Sequence, residues 1–269
     1  MYLFLEDYSY LTRTAKLICG ELDNAGRLLD PRTIVEPPYH ISYPGVFSVD
    51  GQFYMIPETA AANRVELYRA VRFPWEWKLE RILVSGMKLQ DPTYVQINGE
   101  HWIFAGGSSG GAVPRYDLLH LFHAANFHDE FRPHPGNPVK QDAASTRPAG
   151  RIFFEGNRLI RPAQDCSRWY GCGLTFMEVD ALDGTKYSEH PVSRLPDCWL
   201  RGGFIGTHTY NSSAKFEALD VCTYGVELMA VGGRARSLLR KLRGVSGRKT
   251  IASIRDAPAA AKSAELSHP

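Results

Sequence analysis

The stretch Pro92-Thr-Tyr-Val-Gln-Ile-Asn98-Gly99-Glu-His-Trp-Ile-Phe104 decides the fold class. Two runs rich in β-branched and aromatic residues flank an Asn-Gly pair. Such a pair supplies the positive φ angles that a tight β-hairpin turn requires. The stretch therefore predicts two antiparallel strands joined by a two-residue turn.

The same hairpin pattern occurs twice more in the chain. One copy spans 44–56 around Asp50-Gly51, and another spans 148–160 around Glu155-Gly156-Asn157. The three copies start roughly 50 residues apart, and a repeat of that length with several strands per unit is typical of propeller blades. Each blade is a small antiparallel sheet, and radial stacking of blades buries both of its faces.

Partial copies of the hairpin complete the repeat. A fourth, poorer copy begins at Gly206, and the N-terminal run 2–6 matches 54–58, the second strand of another copy. The first strand of that N-terminal copy is expected to be absent. Before residue 230 no stretch keeps a helical period over three turns. The sequence therefore predicts an all-β, five-bladed β-propeller with its first blade incomplete at the N-terminus.

Composition argues against nucleic-acid-binding, disulfide-rich and membrane proteins. The formal net charge is only +2, so no whole-chain electrostatic drive toward nucleic acid is visible. The five cysteines form no C-x-x-C pair, which favours a reducing cytoplasm over a disulfide framework. The first residues are charged too soon for a signal peptide, and no apolar run reaches the roughly 20 residues of a membrane span. We expect a cytoplasmic protein without a transmembrane segment or a nucleic-acid partner.

The C-terminal part of the sequence differs from the rest. The predicted domains are a propeller over 1–230, a short basic amphipathic helix over 231–244 and a disordered tail over 245–269. The basic helix alternates leucines with arginine and lysine, and a solvated helix is favoured over contact with anionic lipid or a partner. The tail has almost no large apolar residues, which is typical of disorder.

Ionisable residues recur where the propeller strands reach the central channel. Because the innermost strands line that channel, polar residues near their starts converge although they lie far apart in sequence. Carboxylates with arginines and histidines around one axis suit chemistry at a glycosidic bond. The candidate acid/base carboxylates are Glu58, Asp91 and Asp165. The candidate substrate-binding residues are Glu6, His40, Tyr43, Arg147, Arg161, Gln164, Tyr170 and His208. For any one of them, a hydrogen bond between blades is the alternative.

Neither a cofactor nor a metal site is predicted. The glycine-rich run 106–110 matches G-x-S-x-G but is expected between two strands, and it lacks the Gly-Lys of a phosphate-binding loop. His120 and His123 would point to opposite faces of a strand. A single cation near His208 stays open as an alternative.

Five segments resemble a known family: 39–44, 54–58, 147–150, 161–167 and 206–211. They are similar, in order, to the N-terminal domain family of glucosamine inositolphosphorylceramide transferases, over residues 1 to about 222. The resemblance implies a propeller like that of the arabinanase, xylosidase and invertase-type glycosidases, where an Asp on the first blade, an Asp on the second and a Glu further round act in catalysis. Family members usually carry Ala-Asp-Pro-Phe on the innermost strand of the first blade, and this chain starts after that point. A truncated N-terminus or a binding-only member is therefore also expected.

Residues and resemblance together predict a carbohydrate-active protein. It would act on a glycosidic bond, by hydrolysis or transfer, in bacterial glycan or glycolipid metabolism, on a sugar or glycolipid substrate. The alternative is a non-catalytic sugar-binding propeller that serves a partner transferase.

Overall fold

The protein is described by a computed structural model over residues 1–110, 116–195, 204–225 and 246–253. Within these residues, twenty strands form five antiparallel sheets, and a single 3₁₀ turn spans Ala60–Ala62. The architecture confirms the all-β, five-bladed propeller, in which each sheet is one blade.

The first blade has one strand fewer than the second. The first blade contains β1 (Tyr2–Ser9), β2 (Thr14–Leu22) and β3 (Leu28–Val35). The second contains β4 (Ser42–Val49), β5 (Gln52–Glu58), β6 (Arg64–Arg72) and β7 (Glu76–Ser85). Strand order follows the chain in both blades. Strand β1 therefore takes the place that β5 has in the second blade, as predicted.

The third and fourth blades also follow chain order. The third contains β8 (Gln90–Ile97), β9 (Glu100–Gly107) and β10 (Leu118–Ala124), with the short β11 (Arg132–Pro133) and β12 (Lys140–Gln141) both paired to β10. The fourth contains β13 (Phe153–Glu155), β14 (Arg158–Asp165), β15 (Gly173–Leu182) and β16 (Tyr187–Leu195).

The fifth blade is built around a single long strand. Strands β17 (Phe204–Gly206) and β18 (Tyr210–Ser212) pair with β19 (Glu217–Gly225), and β20 (Ser246–Ser253) also pairs with β19. Strand β20 lies within 245–269, where a disordered tail was predicted. The eight residues of β20 pair antiparallel with β19. The predicted helix at 231–244 and the rest of the tail lie outside the described residues.

The hairpin turns have the predicted geometry. Val49 pairs with Gln52, and Ile97 pairs with Glu100, so each turn has two residues. In the first turn Asp50 and Gly51 have φ of 50° and 78°, and in the second Asn98 and Gly99 have 52° and 84°. Two consecutive positive φ angles define the turn that matches the twist of the flanking strands.

The hydrophobic core lies between blades. On β9, Ile103 and Ala105 pack into one cluster with side chains of the second blade, whereas Trp102 and Phe104 pack into another with side chains of the fourth. The two sets alternate because successive strand residues face opposite sides of a sheet. All four are essentially buried. Each blade is therefore packed between its two neighbours. This packing places the first residues of the inner strands around the propeller axis.

Candidate functional site

A cavity of about 620 Å³ lies at the centre of the propeller, and we call it the central cavity. The predicted site residues that line it are Glu6, His40, Tyr43, Glu58, Asp91, Arg147, Gln164, Tyr170 and His208. It is also lined by residues that the sequence reasoning did not select, among them Tyr116, Thr209 and Asp220. The central cavity thus gathers groups from all five blades.

Irregular backbone at the inner strand starts aims side chains at this cavity. The pairing register shifts between Ser42 and Gly45 and again between Gln90 and Thr93. Within these shifts Tyr43 and Asp91 have φ of 49° and 47°. Such left-handed, non-glycine residues at a bulge are uncommon, and they re-aim a side chain. The second and third blades therefore have the same kind of bulge, which carries a tyrosine in one blade and an aspartate in the other.

The most tightly connected group in the central cavity joins Glu58, Asp91 and Arg147. Arg147 Nε lies 2.6 Å from Asp91 Oδ2, and Arg147 Nη2 lies 3.4 Å from Glu58 Oε2. The backbone N–H of Asp91 donates to Glu58 Oε2 at 3.0 Å. All three side chains are nearly buried. One guanidinium therefore serves two carboxyl groups, which places both on the same side of the cavity.

Gln164 and two tyrosines complete the surroundings of Arg147. Gln164 Nε2 donates to Asp91 Oδ2 at 2.6 Å and to the carbonyl of Pro148 at 3.0 Å. The Arg147 Cζ atom lies 4.5 Å from the ring centre of Tyr116 and 4.9 Å from that of Tyr170. The cation is thus held by aromatic faces and by carboxylates, and its position is well determined.

Glu58 has a strongly altered acidity. Burial, together with the nearby charge of Asp91, raises the pKa of Glu58 to about 8, although Arg147 acts in the opposite direction. At neutral pH Glu58 therefore carries a proton. A protonated carboxyl in a polar cavity is a candidate proton donor.

Asp220 is a functional candidate that the sequence reasoning missed. It accepts hydrogen bonds from the backbone N–H groups of His208 and Thr209, at 2.9 and 2.7 Å, and its other oxygen contacts His208 Nδ1. It lies on β19 next to the inner strand of the fifth blade, as Glu58 lies on β5 next to the inner strand of the second. That equivalence was the available signal.

Glu6 and His40 form a looser pair that also lines the central cavity. His40 Nε2 lies 3.9 Å from Glu6 Oε1, and His40 Nδ1 is a buried atom without a hydrogen-bond partner. The buried Gln90 Oε1 has no such partner either. Both His40 and Gln90 line the central cavity. Buried polar atoms without partners are costly, so these two are suited to contacts with a bound polar molecule.

Asp165 and Arg161 do not line the central cavity, contrary to the sequence-based prediction. Asp165 Oδ1 accepts bonds from the backbone and hydroxyl of Ser167, at 2.9 and 2.5 Å. Arg161 is fully buried against Glu189, with Nε 2.8 Å from Oε2. The reason is strand periodicity: both residues are an odd number of positions from Gln164, which faces the cavity, so they face the other side.

The part of the chain that the structure describes holds no group of three or more His, Cys, Asp or Glu side chains placed to bind a metal ion. Among the same residues, no helix is long and apolar enough to cross a membrane.

The fold and the polar central cavity define a five-bladed propeller of the type found in glycosidases. The α-L-arabinofuranosidase from Lactobacillus brevis superimposes with a TM-score of 0.56 at 11% identity, covering 94% of this chain and 86% of that enzyme. At that identity the likeness shows the fold alone.

Sequence comparison identifies the family. The model of the family "Glucosamine inositolphosphorylceramide transferase 1, N-terminal" matches residues 1–203, and the chain belongs to this family. The chain is similar to glucosamine inositolphosphorylceramide transferase 1 of Arabidopsis thaliana, at 30% identity over 195 residues (71% of this chain and 25% of the relative). With the protein of that name from Oryza sativa subsp. japonica, identity is 32% over 202 residues (72% and 26%). The chain thus spans about a quarter of the length of the curated relatives it matches. A function related to glycosyl groups is supported.

Proposed function

We propose that this chain binds a sugar in the central cavity and acts on its glycosidic bond, with Glu58 as the proton donor. The observation that carries the proposal is the raised pKa of Glu58, about 8, in the wall of a polar cavity. A glycosidic oxygen leaves readily only when it is protonated, and a carboxyl that keeps its proton at neutral pH can supply it.

A second carboxylate is required to activate water or an acceptor, or to attack the sugar. Asp91 is not suited to this role, because both Arg147 and Gln164 donate to its Oδ2 and it lies beside Glu58. We assign the role to Asp220. It belongs to the fifth blade, which is not a neighbour of the second blade, and His208 contacts it. A carboxylate–imidazole pair can accept a proton from an attacking hydroxyl.

The substrate class that we propose is a glycan or glycolipid. The relatives are named glucosamine inositolphosphorylceramide transferases, and the fold is shared with an α-L-arabinofuranosidase. Hydrolysis and transfer use the same proton donor and differ only in the acceptor. A place in bacterial metabolism and a cytoplasmic location stay predictions from the sequence.

A specific observation also favours a second candidate, a sugar-binding propeller without catalysis that serves a partner transferase. The carboxyl groups of Glu58 and Asp91 both contact Arg147, so part of their hydrogen-bonding capacity is used within the protein. The chain also corresponds to only a quarter of relatives that are named transferases. In this case the cavity would present a sugar to a partner transferase.

Turnover measurements separate the two candidates. The wild type, Glu58→Gln and Asp165→Asn would be tested on 4-nitrophenyl and methyl glycosides of xylose, arabinose and N-acetylglucosamine. We expect Glu58→Gln to lose about 10²–10⁴-fold in rate on methyl glycosides. The loss should be much smaller on 4-nitrophenyl glycosides, because nitrophenolate leaves without a proton. Asp165→Asn is the matched control, since its side chain lies outside the cavity.

Binding of the same sugars, followed by calorimetry, completes the test. Equal losses by Glu58→Gln on both kinds of glycoside would contradict the role as proton donor. Binding without turnover in the wild type would favour the second candidate. If none of these sugars and no UDP-sugar binds, both candidates fail.

A further inference from the structure

A second cavity adjoins the central one. Its volume is about 530 Å³, which falls within the range of roughly 300–1,000 Å³ typical of small-molecule sites. Its lining residues include Asp117, Gln141, Asp142, Arg168 and Trp169. Tyr116 and Tyr170 line both cavities, so these two rings form the partition between them.

The partition contacts Arg147, which in turn contacts the candidate proton donor. The ring centres of Tyr116 and Tyr170 are 5.7 Å apart, and both rings contact the guanidinium of Arg147. Arg147 in turn binds Asp91 and Glu58. A molecule that occupies both cavities therefore passes the two rings that contact Arg147, the shared partner of both carboxyl groups.

Trp169 presents an aromatic surface in the second cavity. It is 47% exposed, which is unusual for so large an apolar side chain. Its position is nevertheless defined, because Nε1 donates to the carbonyl of Ile205 at 3.1 Å and the Arg168 guanidinium lies 4.7 Å from its ring centre. An exposed indole held in one orientation is suited to stacking against the C–H face of a sugar ring.

The acidic groups of the second cavity are used within the protein. Asp117 accepts bonds from the backbone and hydroxyl of Ser109, at 2.9 and 2.7 Å, and from Gln141. Asp142 accepts from the backbone of Ala144 at 3.0 Å and from the Ser145 hydroxyl. Because these carboxylates already have donors, the cavity is better suited to a neutral polar ligand with an apolar face than to a cation.

We propose that the two cavities are subsites for one saccharide of two or more units, which crosses the Tyr116–Tyr170 partition and stacks a ring on Trp169. The inference rests on the proposed function, since it places the scissile bond at the partition, next to Arg147 and the proton of Glu58. It specifies the substrate class as an oligosaccharide or an oligosaccharide headgroup. A single sugar would fill only the central cavity.

Saccharide ladders test the inference. Xylose to xylohexaose, arabinose to arabinohexaose and N-acetylglucosamine to chitohexaose would be titrated by calorimetry against the full chain and its Trp169→Ala variant. In the series that binds, we expect affinity to rise at least about tenfold from the monomer to the dimer or trimer. Trp169→Ala should abolish most of that rise. Trp75→Ala is the matched control, because an arginine also lies over that ring, 4.9 Å away, yet it lines neither cavity.

Each outcome decides one question. Affinity that does not depend on length, in a series that binds, overturns the two-subsite proposal and leaves the proposed function standing. A length dependence unchanged in Trp169→Ala also overturns it. Trp169→Phe, which keeps a ring, guards against a folding defect and should retain part of the rise. Failure of every sugar to bind overturns the proposed function, and with it the inference.

Discussion

The raised pKa of Glu58 predicts an unusual dependence of stability on pH. Between pH 4.5, its ordinary pKa, and about 8, its pKa in the folded protein, the folded state retains a proton that the unfolded state has released. The contribution of Glu58 to stability is therefore fully present below pH 4.5. This contribution decreases as pH rises from 4.5 to about 8, and it no longer changes above that pH. The replacement Glu58→Gln removes the titration.

The magnitude follows from the same two values. Each pH unit within the window costs the wild type about 1.4 kcal/mol relative to a side chain that cannot ionise. The free energy of unfolding of Glu58→Gln, taken relative to that of the wild type, should therefore rise by about 4 kcal/mol between pH 5 and pH 8. The glutamine oxygen can still accept the bond that the Asp91 N–H donates, so little else is expected to change.

Urea unfolding at pH 5, 6, 7 and 8 measures this difference. Glu58→Met serves as the control, because it also removes the titration but loses the bonds from Asp91 and Arg147. Its curve should run parallel to that of Glu58→Gln at lower stability. If the wild-type and Glu58→Gln curves are parallel within about 0.5 kcal/mol over this range, Glu58 is ionised in the folded protein at neutral pH. The assignment as proton donor then fails.

Two further predictions concern the fold. Gly150→Ala should destabilise the protein by about 3 kcal/mol or more, because a Cβ at its φ of +127° would lie 1.8 Å from a carbonyl oxygen. Gly156→Ala, where a Cβ meets nothing within 4 Å, should cost only about 1 kcal/mol. Glu189→Leu should cost about 3–5 kcal/mol since it strands the buried charge of Arg161, whereas Glu76→Leu, at an exposed pair, should cost less than about 1 kcal/mol. Urea unfolding of each pair checks both.

The architecture was predictable because blades are local repeats. An Asn-Gly or Asp-Gly pair sets the turn, the turn sets the register, and the register sets which residues face which neighbour. The start of each inner strand was predictable for the same reason. Tyr43 and Asp91 occupy equivalent bulges, although the bulges themselves leave no clear mark in the sequence.

The incorrect placement of Asp165 and Arg161 in the cavity has one cause: the sequence does not show which face of a strand points to the cavity. Gln164 and Asp165 are adjacent and both polar, and only the pairing of β14 with β15 shows which of them faces the cavity. Asp220 was missed because the fifth blade matches the repeat poorly. The third blade has Gly106 where the second has Glu58, and the absence of a side chain there leaves room for Arg147, whose Cγ lies 3.4 Å from the position of a Cβ. The small residue Gly106 and the large residue Arg147 thus complement each other, although they lie far apart in sequence.

The three-stranded first blade contributes mainly apolar side chains to the central cavity. Strand β1 lies at the edge of its sheet, and its residues Leu3, Phe4, Leu5 and Glu6 line the cavity. Sugars likewise have an apolar C–H face and a polar rim of hydroxyls. A cavity lined by both apolar and charged side chains can orient such a ring before any chemistry takes place. In the proposed function, the first blade would thereby contribute to recognition, while the proton donor Glu58 lies on the second blade and Asp220 on the fifth.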